Sequence, residues 1–89
     1  MLPFLEKKID EERSIRVFSS DLGQDDLYWH KDKEDRVISK KYGEDWYYQE
    51  DNSLPVLISS KPIFIKKNTW HRILMGSSDL VIEVNKLNK

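Results

Sequence analysis

The sequence predicts an all-β domain: a small antiparallel β-barrel or jelly roll of about eight strands, with a short N-terminal arm or helix in front of it. Three observations carry that prediction. Short runs rich in Val, Ile, Phe, Tyr and Trp recur at intervals of about ten residues, each bounded by polar or turn-forming residues. Several of the runs alternate apolar and polar side chains, the two-residue period of a half-buried strand. With 89 residues the chain makes one domain and has no room for a second core.

The arm covers residues 1–13. Leu2, Leu5 and Ile9 stand at helical spacing, and Pro3 suits a first helical turn. Asp10, Glu11 and Glu12 at the far end oppose the helix dipole, so a short helix and an extended arm are both open. The barrel covers residues 14–85, with strands expected at 15–18, 27–30, 36–41, 45–49, 55–58, 62–66, 71–75 and 80–84. Turn-forming clusters separate them, among them Ser19 to Gly23, Tyr42-Gly43-Glu44, Glu50 to Ser53 and Gly76 to Asp79. In the fourth run Trp46 and Tyr48 share a face, opposite Asp45, Tyr47 and Gln49. Ile63 and Ile65 oppose Phe64, and Leu80, Ile82 and Val84 oppose Val81 and Glu83. Alternation of this kind identifies the packed face and assigns no chemistry.

Composition narrows the function classes. A net charge of −1, with acidic residues interspersed throughout, lacks the basic face of a nucleic-acid binder. Lys40-Lys41 and Lys66-Lys67 read as solvated strand ends. The absence of cysteine excludes disulfides and thiolate sites. No run is long and apolar enough for a signal peptide or a bilayer span, so a cytoplasmic protein without nucleic-acid or membrane partners is the expectation. A thin core in a small β domain favours a homodimer, because a small domain buries a lower fraction of its surface than a larger one.

The two histidines carry the chemistry. His30 opens the stretch His30-Lys-Asp32-Lys-Glu-Asp-Arg36, and His71 ends the stretch that runs from Ser60 to Arg72. Both fall at strand positions. Two histidines and a carboxylate suit a divalent metal, and the set His30, Asp32 and His71 matches the arrangement typical of non-haem Fe(II), compatible also with Mn, Zn or Ni. On one strand His30 and Asp32, two residues apart, point the same way, with His71 arriving from a neighbouring strand.

Arg36 weighs against a metal. A guanidinium about 5 Å from a divalent ion is repelled by roughly 6–7 kcal/mol at an effective dielectric of about 20. The alternative is a buried Asp32–Arg36 ion pair, with His30 or His71 hydrogen-bonded nearby. Trp29, Trp46, Tyr48, Phe64 and Trp70 are the aromatic candidates for a pocket lining, with core filling as the commoner role. Glu34 and Asp35 read as solvated turn residues. No Gly-rich phosphate loop, Gly-x-Ser-x-Gly elbow or cysteine nucleophile is present.

The spacing of these residues resembles the cupin superfamily of small β-barrels, over about residues 15–85. The first cupin motif has a His-x-His pair, a Glu and a Gly, and His30, Asp32, Arg36 and Gly43 fall at those intervals. The second has Gly, Pro, Gly and His, and Ser60, Lys66, Asn68 and His71 stand there. Asn68 tolerates the left-handed backbone that the second glycine would supply. Both motifs therefore keep a histidine, while Asp32 replaces the second His and Arg36 replaces the metal-binding Glu. The His-x-Asp…His pattern is also that of 2-oxoglutarate-dependent oxygenases, but Val81 stands where those carry a basic residue for the co-substrate.

The resemblance implies a small single-domain barrel of the RmlC-like type with a polar interior site. The leading expectation is a binding module for a small polar or anionic ligand, held by Arg36, His30 and His71 with Trp46 and Tyr48 beside them. One alternative is a metal-dependent oxygenase or isomerase using His30, Asp32 and His71. Another is a structural or interaction domain with a vestigial site.

Overall fold

A computed structural model of the chain describes residues 2–87. Among the described residues, eight strands form two antiparallel sheets. They are β1 (Leu5–Lys8), β2 (Arg13–Phe18), β3 (Asp35–Tyr42), β4 (Tyr47–Glu50), β5 (Val56–Leu57), β6 (Ile63–Ile65), β7 (His71–Leu74) and β8 (Leu80–Leu87). The larger sheet runs β1-β2-β8-β3-β6 and the smaller β5-β4-β7. The expected all-β class with about eight strands is what the chain adopts.

The alternation read from the sequence identifies the inner faces correctly. Leu80, Ile82 and Val84 of β8 are buried, as are Tyr48 of the smaller sheet and Trp46 just before β4, while Tyr47 and Phe64 face outward. β8 is the central strand of its sheet, pairing Phe18↔Leu80 through Arg13↔Asn85 on one side and Asp35↔Leu87 through Tyr42↔Val81 on the other. Phe18, Ile38, Ile65, Ile82 and Val84 from the larger sheet meet Trp46, Tyr48 and Ile58 to make the core. Gly76 is required here, because a Cβ at this position would clash with the Glu44 carbonyl and the Trp46 ring.

One open element is decided and one expected element differs. Of the two alternatives for the N-terminus the chain takes the extended arm: Leu5↔Val17 to Lys8↔Ser14 place β1 as an edge strand on β2. Leu5 and Ile9 are exposed, so their helical spacing does not mark a buried stripe. Asp10 decides the turn instead, its carboxylate accepting from the backbone N–H groups of Glu12 at 3.0 Å and Arg13 at 2.8 Å.

Residues 27–30 do not form a strand. Gln24–Asp26 make a short 3-10 turn, and the segment after it pairs its backbone with the smaller sheet at an isolated His30↔His71 bridge. The cause is Gln24, whose side-chain amide donates to the Ile73 carbonyl at 3.1 Å and accepts from the Met75 N–H at 2.9 Å. That amide takes the backbone groups on the free edge of β7 that a paired strand would have used.

Candidate metal centre and cavity

His30 and His71 meet through their backbones. His30 N–H donates to the His71 carbonyl at 2.9 Å and His71 N–H donates back at 2.8 Å. Residues paired in this way project side chains to the same face, and the two imidazole centroids lie 4.3 Å apart. Asp32 joins them because the chain turns inward there, its carbonyl accepting from the Asn68 N–H at 2.8 Å. Asn68 has φ +62°, the left-handed conformation expected of it from the sequence. His30, Asp32 and His71 offer ligand atoms that all lie within 4.8 Å of one another, and they are the one such group among the described residues.

The proton positions of both rings follow from their partners. His30 Nδ1 lies 3.0 Å from the Tyr28 carbonyl and His71 Nδ1 lies 2.8 Å from the Thr69 carbonyl. A carbonyl oxygen only accepts, so each Nδ1 carries the proton and, in the neutral ring, each Nε2 presents a lone pair. Burial pushes the His71 imidazole below its ordinary range, and the net shift stays downward although the Thr69 carbonyl and the Asp32 carboxylate pull it upward. The neutral ring is thereby favoured.

Asp32 divides its two oxygens. Oδ1 lies 3.5 Å from Arg36 Nη1, the ion pair anticipated from the sequence, and Oδ2 lies 3.4 Å from His71 Nε2. Oδ2 is buried and has no hydrogen-bond donor. A neutral His71 turns a lone pair toward that oxygen, so two acceptors face each other.

Arg36 is not a free cation. Its Nε donates to Glu34 Oε2 at 2.8 Å, and both side chains are largely buried. Burial pushes the Glu34 carboxyl up, but the hydrogen bond and charge of Arg36 outweigh it and the net shift is downward. Glu34 is therefore a partner in the site and not the solvated turn residue its surroundings suggested. Its two-residue offset from both Asp32 and Arg36 was the available signal, since alternate residues of an extended chain share a face. Asp35, by contrast, turns away to accept from the Lys67 N–H at 2.8 Å.

A cavity of about 320 Å³ adjoins this cluster. Arg36, His30, Asp32, His71 and Tyr48 line one region of it, and Phe18, Ile38, Ile65, Ile73, Ile82 and Val84 supply apolar wall. Tyr48 lies with its ring centroid 5.7 Å from that of His71 and donates its hydroxyl to Glu50 at 3.0 Å. Burial raises the Tyr48 phenol far above its ordinary value, and the Glu50 carboxylate adds to the shift. Glu50, two residues beyond Tyr48 on β4, also escaped the sequence reading.

The structure separates the remaining aromatic candidates from this cavity. Trp46 is fully buried in the core, packed near Phe18 and donating Nε1–H to the Ser78 carbonyl at 2.8 Å. It stands one residue before β4 and is buried like Tyr48, but does not line the cavity. Trp29 and Trp70 lie on the surface, the first under the Arg72 guanidinium at 4.6 Å and the second under Lys31 at 5.3 Å. Phe64 is exposed. The aromatic wall comes instead from Phe18 and from Phe4 of the arm, whose rings pack 5.2 Å apart.

The residues fit a divalent metal. At ligand bonds of about 2.0–2.2 Å, the ligands of one tetrahedral ion stand about 3.3–3.6 Å apart, so a set whose atoms lie within 4.8 Å of one another needs to close by about 1.5 Å at most. The donor types, the unpartnered Asp32 oxygen and the carbonyl-held Nδ1 protons all agree with this.

No known protein family matches the chain, and no curated protein does so either. Among solved structures, the crystal structure of protein NMB1881 from Neisseria meningitidis is similar, at 15% identity with a TM-score of 0.65. The match covers 96% of this chain and 82% of that one, a likeness of fold alone.

Proposed function

We propose that this protein is a small cupin-type barrel that holds a divalent transition metal through His30, Asp32 and His71 and takes a small ligand in the adjoining cavity. One observation carries the reading: a buried Asp32 oxygen without a donor stands beside two imidazoles whose Nδ1 protons are committed to backbone carbonyls. Buried polar atoms are nearly always partnered, and a cation between these groups is the partner that satisfies all three. Fe, Mn, Zn and Ni suit such a donor set.

Glu34 removes the electrostatic objection raised by Arg36. With that pair neutral, the side chains of Asp32, Glu34 and Arg36 together face a metal with a net negative charge. Arg36 fixes Asp32 through Oδ1 and leaves Oδ2 to ligate, so it acts as a positioning residue and not as an open fork for an anion. Bound there, such an ion supplies Lewis-acid polarisation of a ligating oxygen. Three protein ligands leave coordination positions for water or for a ligand, which separates this arrangement from a closed structural site.

The test is elemental analysis of protein purified without chelator or a metal-affinity tag. About one transition-metal ion per chain is expected, and it should be lost in both His71→Ala and Asp32→Ala. Metal-free protein that takes up no ion on dialysis against Fe, Mn, Zn or Ni overturns the reading.

A further inference from the structure

Two exposed tryptophans stand on the outer surface directly behind the histidines. His30 and His71 bridge, and His71 pairs with Glu50, so the residues on either side of each project the other way. Trp29 and Lys31 flank His30, Trp70 and Arg72 flank His71, and Gln49 and Asp51 flank Glu50. The contacts follow that order. Arg72 lies over Trp29 at 4.6 Å and donates to Gln49 at 3.1 Å. Lys31 lies over Trp70 at 5.3 Å, and the Asp51 N–H donates to the Trp70 carbonyl at 2.9 Å.

The two rings do not close on each other. Trp29, Trp70 and Asp51 wall a surface cleft of about 290 Å³. Lys31 and Arg72 are not among its walls, so each cation covers its ring from outside and leaves the surface turned to the cleft free. Single exposed apolar side chains are ordinary. Two exposed tryptophans that wall one cleft together with a carboxylate are a built arrangement.

The composition of the cleft narrows its occupant. A cation is disfavoured, because Lys31 and Arg72 bring two positive charges to the rings against one negative charge on Asp51. Glu50 does not alter that balance, since it turns to the other face and accepts from the Tyr48 hydroxyl. A phosphate backbone would meet the Asp51 carboxylate in the cleft itself. A protein partner fits poorly, because Lys and Asp are depleted at protein interfaces, and here Lys31 and Asp51 stand on either side of Trp70. A neutral molecule with an apolar face and a rim of hydroxyls meets none of these objections.

We infer that the cleft binds a pyranose sugar of the glucose type, whose equatorial hydroxyls leave axial C–H groups on both faces of the ring. Those C–H surfaces lie against Trp29 and Trp70, and Asp51 accepts from neighbouring hydroxyls. At about 30 Å³ per non-hydrogen atom the cleft takes about ten such atoms, roughly one sugar ring. The site lies on the opposite side of the bridged strands from the metal centre and does not depend on it.

The test is titration with methyl β-glucoside, cellobiose and methyl β-galactoside, read by calorimetry and by tryptophan fluorescence. Methyl β-glucoside should bind in about the millimolar range, and cellobiose more tightly. Methyl β-galactoside, whose axial hydroxyl interrupts one apolar face, should bind several-fold more weakly. Trp29→Ala and Trp70→Ala should each lower affinity about tenfold, the effect of one lost stacking face. Asp51→Ala should weaken binding by a similar factor, and chelation of the protein should leave it unchanged.

Failure of both glucosides to saturate overturns the inference. So does equal affinity in wild type and in all three variants, which places sugar binding elsewhere, or loss of sugar binding on chelation. Tighter binding of tetramethylammonium or of a single-stranded oligonucleotide, lost in Trp70→Ala, overturns it in favour of a cationic or nucleic-acid ligand. A dimer in sedimentation that Trp70→Ala dissociates shows the face covered by a second copy, and also overturns it. The wild-type series and the remaining variants decide the matter if one variant does not fold.

Discussion

Asp32 Oδ2 faces His71 Nε2 at 3.4 Å, two acceptor atoms held toward each other by bonds that neither can easily leave. His71 is tied by its Nδ1 proton to the Thr69 carbonyl, and the other oxygen of Asp32 is drawn toward Arg36. The contact is unfavourable without a cation or proton between the two atoms. It becomes favourable with one, and that makes it a sensitive place to substitute.

Asp32→Asn should change the sign of its effect with metal content. In chelated protein the new amide donates to His71 Nε2, and stability should rise by about 1 kcal/mol, the usual net worth of one hydrogen bond. In metal-loaded protein the same change removes an anionic ligand and should lower the unfolding temperature. Thermal unfolding with and without chelator checks this; a loss of stability in both conditions would show that the carboxylate matters to the fold itself.

Glu34→Gln should weaken metal binding about tenfold, the lower end of what removal of a group supporting a ligand costs. The physical cause is an unbalanced Arg36 guanidinium beside the ion. Adding Arg36→Gln in the same chain should recover part of that loss, because the repulsion goes with the charge. Competition titration against a chelator of known affinity measures each variant. Equal affinity in wild type and Glu34→Gln would remove the charge-balance argument.

Trp46 separates core from site. Trp46→Ala should destabilise the protein by about 3–5 kcal/mol, as expected for truncating a fully buried aromatic. At temperatures where that variant remains folded, its metal stoichiometry should match wild type, since Trp46 does not line the cavity. Denaturant unfolding and elemental analysis together distinguish the two roles.

The arm should loosen in acid. Burial pushes the Glu6 carboxyl up, but hydrogen bonds from Arg16 and Ser14 and the charge of Arg16 hold it below its ordinary value of 4.5. A carboxyl whose pKa is depressed by folding contributes stability that is present above its unfolded value and is lost as pH falls through the folded value. Stability should therefore decline below about pH 4.5 more steeply in wild type than in Glu6→Gln, by roughly 1 kcal/mol for a partly exposed pair. Amide exchange at Val17 and Ile15, opposite β1, should accelerate over the same interval. Parallel pH profiles for the two proteins would argue that Glu6 does not hold the arm.

The site was legible in the sequence only where it is made of side chains at strand spacing. His30, Asp32 and Arg36 stand at even offsets, as on a strand, and His71 comes three residues after an asparagine that takes the left-handed turn. Glu34 shares that parity and was readable by the same rule, but its acidic neighbours disguised it as a turn residue. The carbonyls of Tyr28 and Thr69 were not readable at all, because every residue has a carbonyl and only the folded backbone aims one. The roles of Trp46 and Tyr48 diverge for a related reason. Both are buried at alternate positions, but the chain passes from the core to the cavity between them, and residue type carries no record of depth.

By itself the sequence determined the all-β class, the inward faces of β4, β6 and β8, and the pair of histidines with their carboxylate. These are properties of periodicity and residue type, which act locally along the chain. Only the tertiary structure decided that the arm is a strand, that Gln24 replaces a strand beside β7, and that Arg36 is neutralised by Glu34. Each of those depends on which backbone groups are left unpaired once distant segments meet, and hydrogen-bond satisfaction of that kind is settled across the whole fold.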